Sequence, residues 1–151
     1  MSAKVFSTAV CLDSNIFVCL MSPDESNDVI EDFFNILNRR GCSFYAPSLM
    51  QFEIAQTFGK KERARLMTSD SVDDAVKQLC ALPILLEWNE SLLEKALDIY
   101  RQGFKSLYDA SFLAVAMKRN IPLVTEDQEI LKKGGKIYPH VYTMNEYHKQ
   151  I

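Results

Sequence analysis

The chain has 151 residues, 48% hydrophobic and 25% charged, with a formal net charge of −3. A chain of this size buries about 70% of its unfolded surface, so a single domain (1–151) with one full core is expected. The composition excludes a membrane span, because no run approaches the ~20 apolar residues required, and argues against a purely electrostatic nucleic-acid binder.

The N-terminal MSAKVFSTAV has no long apolar run behind a basic start, so a cytoplasmic protein without a signal peptide is expected. Residues 5–12 (VFSTAVCL) read as a strand that stops at Asp13. Ser22-Pro23-Asp24-Glu25 has the form of a helix start, and Val29, Ile30, Phe33, Phe34 and Leu37 continue at helical spacing to Gly41. CSFYA (42–46) is a second strand, and Pro47-Ser48 opens a helix carrying Glu53. A further helix covers 71–82, and ILLEW (84–88) is a third strand. Asn89 caps a helix to Tyr100, and Ser106 starts the Ala-rich helix LYDASFLAVAMKRN. Ile121–Thr125 is a fourth strand, a short helix runs to Leu131, and KIYPHVYT is a candidate fifth strand. Alternation of strands and helices predicts an α/β fold with a mostly parallel sheet of four or five strands, covered on both faces.

Cys11, Cys19, Cys42 and Cys80 lack CxxC spacing, and His140 and His148 have no ligand spacing to them. Reduced core cysteines are therefore expected in preference to zinc or disulfides. Trp88 and Phe112 read as packing residues.

Four acids stand out by position. Asp13 and Asp127 follow the first and fourth strands, where ligands collect in parallel sheets. Glu53 and Asp109 lie in the first turns of helices. Each has a structural alternative: Asp13 as a helix cap, Asp109 as the partner of Ser106 in a capping box, Asp127 as a favourable charge at a helix start, and Glu53 as a surface residue. Against these, Glu53 falls beside Leu49 and Met50 on a helical wheel, and Asp109 opens a helix apolar enough to be buried. Acids gathered at one sheet end repel one another and call for protonation or a divalent cation. Oxygen ligands suit Mg²⁺ or Mn²⁺.

The segments LDSN, PSLMQFEI, LYDASFLAVA and IPLVTEDQEIL resemble the PIN-domain ribonucleases, and within them the VapC-like toxins of type II toxin–antitoxin pairs, over roughly residues 8–143. The resemblance implies a three-layer α/β/α sandwich, a homodimer, a cognate antitoxin, and Mg²⁺- or Mn²⁺-dependent hydrolysis of RNA. It places the catalytic and metal-binding acids at Asp13, Glu53, Asp109 and Asp127, with Ser14, Asn15 and Thr125 as supporting polar groups. Glu126 should point elsewhere and Glu129 should lie at the surface. Lys60, Lys61, Arg63 and Arg65 form a candidate RNA-contact cluster, with Lys132, Lys133 and Lys136 as a second. A phosphatase with an aspartyl nucleophile would want a second Asp at Asn15, and a phospho-acceptor domain would want a lysine near Glu126. The remaining alternatives are a stand-alone RNA-processing nuclease and a PIN-like module that binds RNA or a partner without cutting.

Overall fold

The computed structural model describes residues 8–151. Among them, five strands form one parallel sheet in the order β3-β2-β1-β4-β5: β1 Ala9–Leu12, β2 Ser43–Pro47, β3 Ile84–Glu87, β4 Leu123–Val124 and β5 Val141–Tyr142. Residues 5–7 of the predicted first strand lie outside the described residues. Central β1 is paired on both edges and covered on both faces, so Val10, Cys11 and Leu12 are all fully buried. That is why it reads as a continuous apolar run and not as an alternating one.

Helices α1 Ser14–Met21, α2 Asp28–Arg39, α3 Met50–Arg63 and α4 Ser69–Ala81 pack together in one layer. Phe17 of α1 and Phe34 of α2 meet Phe44 of β2 with ring centroids 6.3 and 6.0 Å apart. Helices α5 Glu90–Arg101 and α6 Leu107–Arg119 pair in the other layer. Together with the sheet they make the expected three-layer α/β/α arrangement. Asn89 and Ser106 cap α5 and α6 as predicted. Gly41 closes the turn after α2 at φ +64°, a left-handed conformation that glycine adopts without a Cβ penalty.

Two sequence expectations are corrected. The helix predicted from Ser22-Pro23 begins instead at Asp28, with Asn27 Oδ1 accepting from the Val29 and Ile30 amides at 2.9 and 3.1 Å. Ser22 through Glu25 are held as a turn by tertiary contacts: the Ser22 hydroxyl donates to Asp24, and Lys61 of α3 bridges Asp24 and Glu25 at 2.8 and 2.5 Å. Asn27→Ala is therefore expected to cost about 1 kcal/mol, whereas Pro23→Ala should leave stability nearly unchanged; thermal melts compare the two.

The second correction concerns KIYPHVYT, of which only Val141–Tyr142 is strand. A π-helical turn Ile130–Gly134 continues into α7 Gly135–Ile137, and Gly134 is buried against Leu113 and Val141. Helix α8 Met144–His148, with a Thr143/Glu146 capping box, follows β5. All four cysteines are free, but only Cys11 is fully in the core, and Cys80 is exposed.

Candidate active site

The four acids come together at the carboxyl edge of the sheet. The Asp13 amide donates to Val124 O at 3.0 Å, which fixes the end of β1 beside Thr125. The buried Thr125 hydroxyl donates to Asp13 Oδ2 at 2.7 Å and accepts from the Asp127 amide at 3.0 Å. One threonine thus sets both acids at the strand ends. Asp13 Oδ1 also caps α1, accepting from the Ser14 amide at 2.8 Å, so its capping role and its place in the cluster coexist. The Ser14 hydroxyl donates across to Glu53 Oε1 at 2.5 Å, which ties α3 to α1. Asn15 Nδ2 lies 3.3 Å from Asp13 Oδ2.

Asp109 stands differently. Ser106 Oγ accepts from the Tyr108 and Asp109 amides at 3.1 and 3.3 Å, but the carboxylate makes no reciprocal bond, so no capping box forms there. Asp127 Oδ1 accepts from the Ile130 amide at 3.0 Å and anchors the following helical segment.

Charge repulsion links the group. Asp13 is only 3% exposed, and burial pushes its carboxyl up to about 6. The Thr125 and Ser14 hydrogen bonds oppose that rise, and the charges of Glu53 and Asp127 add to it. Asp109 also rises to about 6, through burial first and then through Asp13, Asp127 and Glu129. Burial raises Glu53 as well, with the charge of Asp109 adding and the Ser14 hydrogen bond opposing. Among the described residues, no ion pair reaches any of the four.

The sequence matches the PIN domain family over residues 10–136. The chain belongs to the PIN-domain family. Its members are generally nucleases, and the matched segment contains all four acids. No curated protein sequence matches. Three solved structures show the same fold. PAE2754 from Pyrobaculum aerophilum is 19% identical, with a TM-score of 0.68 over 95% of this chain and 90% of that one. VapBC2 from Rickettsia felis, bound to a DNA fragment from their promoter, is 13% identical, with a TM-score of 0.64 over 89% and 97%. FitAcB from Neisseria gonorrhoeae is 14% identical, with a TM-score of 0.62 over 89% and 96%.

Whether this PIN domain suits a metal ion can be judged from its donors. Among the described residues, no three His, Cys, Asp or Glu side chains stand in a ready-made ligand arrangement. In its place, protein donors hold both oxygens of Asp13 and one oxygen each of Glu53 and Asp127. The donor chemistry nevertheless fits a hard dication: among the described residues, several carboxylates have no lysine or arginine paired to them, and Asn15 Oδ1 is a buried acceptor with no partner.

Three residues of the PIN domain depart from the sequence reading. Tyr108 is absent from the sequence reading, yet among the described residues its buried hydroxyl finds no partner, and burial and the charges of Glu53, Asp13 and Asp109 push it upward. Its place next to Asp109 in LYDAS was the available signal. Glu129 is not simply a surface residue: it accepts from the Lys105 amide at 3.0 Å and pairs with Lys133 at 3.3 Å. Trp88 is 65% exposed and so is not a packing residue, whereas Phe112 is fully buried. Glu126 does point elsewhere, accepting from the Met144 amide at 2.8 Å.

The basic cluster divides. Lys61 is only 13% exposed and held by Asp24 and Glu25, which removes it from the candidate RNA contacts. Lys60, Arg63 and Arg65 remain exposed. Lys60 lies seven residues after Glu53, on the same helical face and about 10 Å along the axis. In the second cluster, Lys133 is engaged by Gly103 O and Glu129, while Lys132 and Lys136 are exposed.

Proposed function

We propose that this PIN domain is an endoribonuclease that hydrolyses RNA phosphodiester bonds with Mg²⁺ or Mn²⁺, and that it is the toxin of a toxin–antitoxin pair. The observation that carries the reaction is the gathering of Asp13, Glu53, Asp109 and Asp127 at one sheet edge with, among the described residues, no lysine or arginine paired to them. Bound at these carboxylates, Mg²⁺ would supply a water of lowered pKa and charge neutralisation at the scissile phosphate. Asp13, Asp109, Asp127 and Glu53 would hold it, with Asn15 Oδ1 as a further oxygen. Thr125 and Ser14 keep Asp13 and Glu53 turned into the site, so the acids are positioned before substrate arrives. Water adds to the phosphorus as the bond to the 3′-oxygen breaks, so the RNA strand is left with a free 3′-hydroxyl on one fragment and a 5′-phosphate on the other.

The toxin role and an antitoxin partner rest on the VapC-like motifs and on the likeness to VapBC2 and FitAcB. An open reading frame for a small protein beside this gene supports them, and its absence favours a stand-alone nuclease. A homodimer is supported by apolar side chains left open to solvent, of which Phe52 on α3 is the most exposed at 76%. Among the described residues no helix is long and apolar enough to cross a membrane.

The deciding experiment incubates purified protein with mixed RNA, with and without Mg²⁺, beside an Asp109→Asn variant. Products are expected only from the parent and only with metal; no metal-dependent cleavage by the parent overturns the proposal. Neutralising Lys60, Arg63 and Arg65 together should weaken RNA binding and reduce the slope of log affinity against log salt by up to about 2, at roughly 0.7 per phosphate contact. Lys61→Ala should leave that slope unchanged and lower the melting temperature. An unchanged slope in the triple variant returns those side chains to the solvent face.

A further inference from the structure

A cavity of about 350 Å³ lies beside the acids, lined by Pro47, Leu49, Trp88, Leu93, Leu107 and Tyr108 among others. That volume is within the roughly 300–1,000 Å³ range of small-molecule sites. We propose that this cavity is a nucleobase subsite, in which a base of the RNA strand next to the scissile phosphate stacks on Trp88. The inference deepens the nuclease reading and rests on it.

Position is the first support. Trp88 directly follows β3 and Pro47 ends β2, while Asp13 follows β1 and Thr125 follows β4. These strands are neighbours in the sheet, so cavity and acids share one carboxyl edge. A strand laid along that edge passes from the acids into the cavity. Tyr108 joins the two regions: it lines the cavity and directly precedes Asp109 in the first turn of α6.

Chemistry is the second support. The side-chain polar groups of Ser48, Ser111 and Glu87 on the walls are already engaged. Ser48 Oγ donates to Glu87 O at 3.1 Å, Ser111 Oγ donates to Tyr108 O at 2.5 Å, and the Glu87 carboxylate pairs with Arg119. No lysine or arginine lines the cavity. Such walls reject a phosphate and suit the uncharged, flat part of a nucleotide. Trp88 at 65% exposure, with Leu93 and Leu107 at 44% and 39%, offers an open aromatic face with apolar sides. Stacking on an aromatic face does not read base edges, so the subsite should be tolerant of base identity, as stacking platforms are.

Trp88 is the only tryptophan in the chain, so its fluorescence reports the cavity directly. The test titrates the protein in EDTA, where no cleavage occurs, with a short single-stranded RNA and with an abasic oligonucleotide of equal length and charge. Saturable quenching by the first and little by the second is expected. With metal present, Trp88→Ala should raise KM for RNA cleavage about tenfold with kcat within about twofold, and Trp88→Phe should recover most of the loss. Leu93→Asp, on an exposed wall position, serves as the second variant should Trp88→Ala fold poorly, and should raise KM likewise.

Cleavage by the parent with no Trp88 response, or equal quenching by the abasic strand, overturns the subsite and leaves the nuclease reading intact. So does iodide shielding of Trp88 without RNA at concentrations where sedimentation shows a dimer, since a second copy then fills the cavity. A parent that neither binds nor cleaves RNA overturns both.

Discussion

Asp13→Asn is expected to reduce metal-dependent RNA cleavage by about a hundredfold or more while raising the melting temperature at pH 8. Loss of the charge at a metal-binding carboxylate removes several kcal/mol of transition-state stabilisation, and each 1.4 kcal/mol is about tenfold in rate. The stability gain follows from burial. The Asp13 carboxyl titrates at about 6 in the folded protein against 3.8 for an ordinary aspartate. Protonation therefore favours the fold: the stability this group contributes is fully present below about pH 4 and is lost as pH rises through 6. By pH 8 the ionised group costs the fold about 3 kcal/mol. Asparagine avoids that cost but gives up one acceptor oxygen, since Thr125, Ser14 and Asn15 all donate to this carboxylate. A net gain of about 1–2 kcal/mol, or several degrees, remains. The gain should fade as pH falls to 4. Thermal melts at pH 4, 6 and 8 beside an RNA cleavage assay measure both halves. Parental cleavage rates, or a variant less stable than the parent at pH 8, would refute the assignment.

Mn²⁺ or Mg²⁺ should stabilise the protein strongly at pH 8 and weakly at pH 5, the reverse of the trend in the metal-free protein. Protons and the dication compete for the same oxygens. Asp13 and Asp109 both titrate near 6, so at pH 5 most of each carboxyl is protonated and unable to bind a cation well. Above pH 7 the ionised carboxylates repel one another, and an ion both binds and relieves that repulsion. At a metal concentration a hundred times the dissociation constant, linkage yields about 2.7 kcal/mol. EDTA should remove the shift together with all cleavage. In the Asp13→Asn/Asp109→Asn double variant the metal shift should be nearly absent at every pH. An equal shift at pH 5 and pH 8, or one retained by the double variant, would show that the ion binds elsewhere.

The corrections have a common origin in contacts between residues distant in the chain. Ser22-Pro23-Asp24-Glu25 satisfies every local condition for a helix start, but Lys61 captures Asp24 and Glu25 from the other end of α3 and holds them as a turn. The same ion pairs remove Lys61 from a basic cluster that looked uniform along the chain. An aromatic at the end of an apolar strand usually packs, which is the sequence expectation at Trp88. β3 lies at the edge of the sheet, and the residue after it projects into solvent. A tyrosine inside an apolar helix reads as core, and the one local signal at Tyr108 is its place next to Asp109. Its significance comes from the charges brought around it.

Local physics determined the alternation of strands and helices, the caps at Asn89 and Ser106, the stop at Gly41 and the positions of Asp13 and Asp127 at strand ends. Each depends on a few neighbouring residues, and each was therefore legible from the sequence. Only the tertiary structure decided that Thr125 bonds Asp13 from 112 residues away, that Ser14 reaches Glu53, and that the acids come near enough for their charges to act on one another. Electrostatic energy depends on distance through space and on burial, neither of which is written in sequence separation.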